Sequence, residues 1–139
     1  MAVVLDPSVL GVGGGFAEMV GLVLDESSSS LVRGHVEVGE EHHQPFGMVN
    51  AGLHTTMVET LASVGAFMWA QEQGLVAAVG VHNATDFFRS HRFGRLEGEA
   101  VPIHQGRSQQ VWQVSITRSS DGKMVAQGRL RLHNLREVR

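Results

Sequence analysis

Along the first third of the chain apolar and polar residues alternate. Val20, Leu22 and Leu24 fall on one side of an extended segment beginning near Phe16, and Ser27 to Ser30 read as a turn. Val32, Gly34, Val36 and Val38 then alternate with Arg33, His35 and Glu37. A period of two marks a strand with one face against a core. Gly39 to Pro45 read as a loop. Between 50 and 73 the period changes. Leu53, Met57, Leu61, Val64 and Met68 recur at spacings of three and four, which predicts the only long helix. Asn50 suits its N-cap, and Gly74 stands where helices commonly stop. The interior carries almost no charge, so the helix should be buried on most sides. The period of two then returns in Val79, Val81, Asn83, Thr85 and Phe87, and again over roughly 95–104. Trp112, Val114 and Ile116 oppose Gln113, Ser115 and Thr117. Met124, Ala126, Gly128, Leu130 and Leu132 oppose Gln127, Arg129, Arg131 and His133. These last two runs are joined by Ser119-Ser120-Asp121-Gly122, and Asp-Gly is a strong hairpin signal.

Two strands, a long helix and four consecutive strands imply an antiparallel sheet rather than alternating helix–strand units. The economical solution is an α+β fold in which a curled sheet wraps one central helix. A length of 139 residues suits one domain with one core. That domain is expected over 16–139. Residues 1–15, ending in Gly11-Val12-Gly13-Gly14-Gly15, read as a flexible lead-in. The glycine run is no phosphate loop, because no Gly-Lys-Ser/Thr follows it and no strand clearly precedes it.

Composition narrows the chemistry. Eleven basic and 14 acidic residues leave a formal charge of −3, which argues against nucleic-acid or anionic-membrane partners. With no cysteine there is no thiol nucleophile, disulfide or Cys-ligated metal. The N-terminus lacks a basic start, and no window approaches about 18 uninterrupted apolar residues, so a cytoplasmic protein without a membrane span is expected. The eight histidines show no His-x-x-x-His or His-Glu-x-x-His spacing, and His54 and Glu59 are badly spaced for one helix face. No metal site is expected. A serine nucleophile is disfavoured, because there is no Gly-x-Ser-x-Gly elbow and Ser63 lies inside the helix.

Between His42 and Gln71 the one formal charge is Glu59, near the middle of the apolar helix. A carboxylate out of water costs several kcal/mol, of order 2–5, unless paired or hydrogen-bonded. No basic residue lies within a helical turn of it. Thr56 and Ser63 share its side of the helix, and Ala62 and Ala66 leave room beside it. A carboxylate in such a place suits general-base or nucleophilic work. The competing reading is an ion pair with a distant arginine such as Arg89 or Arg107. Upstream, the run Gln44 to Gly52 enters the helix. Its first backbone N–H groups point outward with partial positive charge and can hold an oxyanion. Alternatively, Gly47 and Gly52 simply permit a tight turn.

The stretch from His43-Gln44-Pro45-Phe46-Gly47 through Gly52 to Glu59 and Ser63 resembles the hotdog-fold acyl-CoA thioesterases of the phenylacetate-pathway and 4-hydroxybenzoyl-CoA type. It is also similar to the proofreading thioesterase of enterobactin synthesis. The similarity runs from about Phe16 to Asn134. It implies a hotdog fold and hydrolysis of small, aromatic acyl-CoA thioesters. Glu59 matches the catalytic carboxylate, and Gln44 the glutamine that orients thioester or water. Ala51 matches the backbone N–H that polarises the carbonyl, and Ser63 the hydroxyl that positions water. Asp86-Phe87-Phe88-Arg89 and His104-Gln105-Gly106-Arg107-Ser108 resemble CoA-binding segments, with Arg89, Arg107 and Ser108 as contacts. The resemblance implies no cofactor beyond the CoA of the substrate. It implies active sites between subunits, hence a homodimer at minimum and an expected homotetramer.

One departure stands out. The family's His-Gly-Gly at the helix start is Asn50-Ala51-Gly52 here. Asn50 can donate a hydrogen bond but cannot titrate near neutral pH, and Ala51 adds a methyl group beside the carbonyl. That departure motivates a second reading, a non-catalytic hotdog domain that binds acyl-CoA. A hotdog hydratase would pair a His with an acidic residue in a motif absent from this chain.

Overall fold

The alternating segments form six strands of a single antiparallel sheet: β1 (Val23–Ser27), β2 (Val32–Val38), β3 (Ala77–Phe87), β4 (Gly94–Gln105), β5 (Gln109–Arg118) and β6 (Met124–Leu135). The structure is a computed structural model that describes residues 15–137. The lead-in expected over 1–15 lies outside the described residues, apart from Gly15. Strand order across the sheet is β1–β2–β4–β5–β6–β3. The long helix α2 (Ala51–Glu72) therefore carries the chain from β2 to the opposite edge of the sheet. It packs against all six strands, so the sheet curls around it.

The helix sits close because the sheet presents glycines to it. A Cβ at Gly98 would lie 2.5 Å from Leu61 Cδ1, and one at Gly34 would lie 2.8 Å from Leu61 Cδ2. Gly34 and Gly98 are cross-strand partners, so together they form one notch for Leu61. Gly65 returns the arrangement, because a Cβ there would meet Trp112 Cη2 at 2.4 Å. Met57, Val58, Leu61, Val64, Trp112, Ile116, Leu130 and Leu132 are fully buried. Burial of such side chains is worth roughly 1.5–3 kcal/mol each and supplies the main driving force for this packing.

Helix bounds follow the local chemistry. Asn50 is the N-cap, and Gly74, at φ 75°, takes the left-handed conformation that ends the element. At the β5–β6 turn Asp121 accepts hydrogen bonds from Arg118 Nε at 2.8 Å and from the Lys123 N–H at 3.0 Å. Arg118 first, then that N–H, holds the Asp121 carboxyl down to about 2.

Three local expectations are corrected. The strand expected from Phe16 is instead a short helix α1 (Phe16–Met19), and β1 begins only at Val23. Gly21 closes α1, with its N–H donating to Glu18 O and the Leu22 N–H to Ala17 O. Apolar Val20 and Leu22 mimic a strand because they flank this helix end. The 39–45 loop contains a 3-10 turn at Glu40–His42. In β3 the alternation breaks, because Val81 is an extra residue between the pairs Gly80–Leu132 and His82–Arg131.

Candidate active site

The approach to α2 is built by backbone pairing. Gln44 N–H donates to Met48 O at 2.7 Å, Val49 N–H to His91 O at 2.8 Å and Asn50 N–H to His42 O at 2.8 Å. His42 anchors this segment, with Nε2 donating to Val20 O at 2.6 Å and Nδ1 accepting from the Gly39 N–H at 3.0 Å. The Gln44 side-chain oxygen accepts from the Phe46 N–H. Its amide nitrogen has no protein acceptor among the described residues.

At the helix tip the Asn50 Oδ1 accepts from the Gly52 N–H at 2.7 Å, and the Asn50 carbonyl accepts from the Leu53 N–H at 2.9 Å. Ala51 N–H, just ahead of them in the chain, has no acceptor among the described residues. Asn50 thus serves as the cap, and the free amide is the one assigned from sequence to carbonyl polarisation. Gln44, Ala51 and Arg89 line one cleft of about 240 Å³ together with His54, Phe87 and Phe88. Arg89 is steadied there, its Nη1 donating to Met124 O at 2.6 Å.

His54 had no role assigned from sequence beyond its poor spacing for a metal. It is buried, and its Nδ1 has no hydrogen-bond partner among the described residues. Its ring centroid lies 5.7 Å from that of Phe87. Desolvation, and then the neighbouring His91, lowers the imidazole pKa to about 4, so it is neutral near pH 7. Only the arrival of Phe87 and His91 from distant sequence creates this environment.

Glu59 lies in a different cleft of about 580 Å³, with Phe16, Ala17, Thr55, Thr56, Thr60 and Asn83. The expected burial is not met within one chain, where Glu59 is exposed. The sheet leaves this stripe of α2 uncovered beside the β3 edge, so only a further surface could dry it. Among the described residues no cation pairs with Glu59. Arg89 and Arg107 are therefore not its partners. Thr56 donates to Gly52 O at 2.7 Å rather than to the carboxylate, and half-buried Ser63 lines neither cleft.

The other assigned residues are dispersed. Arg107 and Ser108 edge a third hollow of about 200 Å³ with His133, Asn134 and Arg136. Asn50 lies on a fourth, beside Phe16, His42 and Gly52. One chain therefore gathers Gln44, Ala51 and Arg89 but leaves Glu59, Ser63 and Arg107 elsewhere. Eight residues separate Ala51 from Glu59, about 12 Å of helix rise, which is too far for one carbonyl to meet both. Among the described residues no three His, Cys, Asp or Glu side chains converge as a metal site, and no helix is long and apolar enough to cross a membrane.

A six-stranded antiparallel sheet curled around one long helix is the hotdog fold, here that of a thioester hydrolase. Residues 46–125 match the model of the thioesterase superfamily, and the chain belongs to that family. A Mycobacterium tuberculosis protein with a provisional esterase name, Rv1847, is 39% identical over 130 residues, covering 93% of this chain and 92% of that one. Its solved structure superposes with a TM-score of 0.84 at 37% identity, covering 88% of this chain and 98% of that one. The S. sahachiroi protein AziG has a TM-score of 0.84 at 36% identity, covering 89% of this chain and 98% of that one. The Arabidopsis thaliana 1,4-dihydroxy-2-naphthoyl-CoA thioesterase 2 is 31% identical over 122 residues, covering 83% of this chain and 76% of that one.

Proposed function

We propose that this protein hydrolyses small aromatic acyl-CoA thioesters to the free acid and CoA, in a site completed by two copies of the chain. Glu59 of one copy and the Ala51 N–H of the other act on the same acyl carbon. The observation that carries this reading is the unpaired Glu59 carboxylate in an open cleft, on the same helix as an unused Ala51 amide but about 12 Å from it. In a twofold arrangement a carboxylate that meets the other copy's helix tip is matched by the reciprocal contact, since such an interface is self-complementary. The outer edge of β3, with exposed Val79 and Val81, offers a surface for that contact. A homodimer is the minimum assembly, and a homotetramer is two such dimers.

The chemistry follows from these groups. Glu59 takes a proton from water as the water oxygen attacks the acyl carbon, or attacks the acyl carbon itself to form an anhydride that water then cleaves to the free acid, restoring Glu59. Negative charge then grows on the carbonyl oxygen, where the Ala51 N–H and the partial positive charge of the helix tip stabilise it. Loss of one such donor costs roughly 10²–10³-fold in kcat. The C–S bond breaks and CoA leaves as a thiolate, a far better leaving group than an alkoxide because thiols are much more acidic than alcohols. The free Gln44 amide nitrogen orients the thioester, and Ser63 positions water. Arg89, Arg107 and Ser108 take the CoA phosphates through charge-assisted hydrogen bonds. Phe16 beside Glu59, and Phe87 and Phe88 beside Ala51, support an aromatic acyl group through stacking.

The rival reading as a non-catalytic acyl-CoA binder rests on Asn50. The Asn50 side chain caps the helix and leaves the Ala51 N–H open, which favours catalysis. The deciding experiment is Glu59→Ala assayed for thiol release from benzoyl-CoA and phenylacetyl-CoA. Loss of turnover with retained binding is expected. Unchanged turnover removes the proposed mechanism.

A further inference from the structure

We propose that Gly80, at the bulge of β3, is a positioning residue for the Glu59 carboxylate: its bare backbone sets where the two carboxylate oxygens stand. This rests on the reading of Glu59 as the catalytic carboxylate.

A Cβ at Gly80 would lie 2.8 Å from Glu59 Oε1 and 3.2 Å from Oε2, with Leu130 Cδ1 next at 3.3 Å. Both oxygens thus lie against the one position that a side chain would occupy. The other sheet glycines that α2 approaches face hydrocarbon from the helix. Gly34 and Gly98 meet Leu61, and Gly128 meets Val58 as well as Thr85 of β3. Only at Gly80 does the helix present a carboxylate. Backbone conformation does not call for glycine there, because Gly80 is not among the residues with positive φ. What an added methyl group would displace is Glu59.

The strand cannot readily step aside. Asn83 Nδ2 donates to Thr55 O at 3.1 Å, and Thr85 Oγ1 holds the Asn83 amide by donating to its Oδ1 at 2.7 Å. Thr55 O is also the carbonyl that accepts the Glu59 N–H in an i to i−4 helix ladder. β3 is thereby tied to α2 at the level of Glu59. The extra residue Val81, immediately after Gly80, adds a local twist that re-aims the strand, and bulges commonly serve this end beside active sites. A carboxylate at the end of a flexible side chain yields more easily than this tied backbone. A methyl group at position 80 therefore moves the reacting oxygens and leaves the fold in place. Misplacement of a reacting group by about 1 Å costs on the order of 10²-fold.

The test compares Gly80→Ala, Glu59→Asp, Glu59→Ala and the doubles Gly80→Ala/Glu59→Asp and Gly80→Ala/Glu59→Ala, all assayed on benzoyl-CoA with Tm measured in parallel. The expected result is a fall in kcat of roughly 10- to 100-fold for Gly80→Ala, with KM within threefold of wild type. The shorter Asp side chain stops short of position 80, so Gly80→Ala should cost less than threefold in the Glu59→Asp background. Non-additivity of this kind is the mark of two changes acting through one group, and a structural role would not produce it. A kcat loss below threefold for Gly80→Ala, or equal losses in both backgrounds, overturns the proposal. A Tm drop of the same size with Glu59 and with Ala at position 59 assigns Gly80 to the fold and overturns it too. If Glu59→Ala keeps full turnover, the reading of Glu59 itself fails and the proposal falls with it.

Discussion

Gln110 and Asn134 meet inside the molecule, where the Gln110 amide donates to Asn134 Oδ1 at 2.9 Å and to the Ala66 carbonyl of α2 at 3.1 Å. Gln110 Oε1 accepts from Trp112 Nε1 at 2.9 Å, and Asn134 Nδ2 donates to the carbonyls of Gly106 and Arg107 at 2.9 and 3.2 Å. This small network ties the β4–β5 loop, with its arginine, to the central helix.

Asn134→Ala should therefore act on that loop. Two loop carbonyls and the Gln110 amide lose a partner, costing about 1–3 kcal/mol of stability. If Arg107 and Ser108 hold the nucleotide end of CoA, KM should rise several-fold for benzoyl-CoA and stay near wild type for benzoyl-pantetheine, which lacks the nucleotide. Steady-state kinetics on both thioesters checks this. Equal KM changes would separate the loop from CoA binding.

Asn50→Asp separates capping from chemistry. An aspartate caps as well as asparagine, and its charge favours the helix N-terminus by about 0.3–1 kcal/mol. Stability should hold or rise slightly. The same negative charge next to the Ala51 N–H opposes the developing oxyanion, so kcat should fall at least tenfold. Thermal unfolding and initial rates on one preparation give both readings.

Acid should destabilise the fold through His54. Its folded pKa of about 4 lies below the ordinary 6.5, so between those values the unfolded chain binds a proton that the folded chain refuses. The contribution is fully present above pH 6.5 and is lost as pH falls toward 4. The loss approaches about 3 kcal/mol at the low end. Urea unfolding of wild type and His54→Leu at pH 7 and pH 4.5 measures it. The gap between the two pH values should shrink in the variant.

Much of this molecule is legible in its sequence, for a local reason. In β5, and in β6 from Ala126 onward, each residue's face follows from a period of two, and Trp112, Val114 and Ile116 are buried as their spacing implies; at the start of β6 a register shift buries Val125 and leaves Met124, expected on the core face, half-buried. Asn50 and Gly74 bound the helix because capping and left-handed glycine are matters of a few neighbouring atoms. The misread parts depend on distant partners. The chain just after Phe16–Met19 is pinned from afar, because His42 Nε2 donates to Val20 O. Glu59 stands among apolar neighbours in sequence yet is exposed in space, because β3, the last strand of the sheet, reaches its carboxylate from one side and leaves the other open. Val81 gives no local sign of being the extra residue, since a bulge exists only relative to the strand it faces.

Leu61, lodged where Gly34 and Gly98 pair across two strands, works as a key in a lock. A helix keyed at that level can neither rotate nor slide without forcing a methyl group into backbone. The outward row of Thr55, Thr56, Glu59 and Ser63 thus sits on a shaft of fixed height and angle. Changes in that row can retune the chemistry without recutting the joint that holds the domain together.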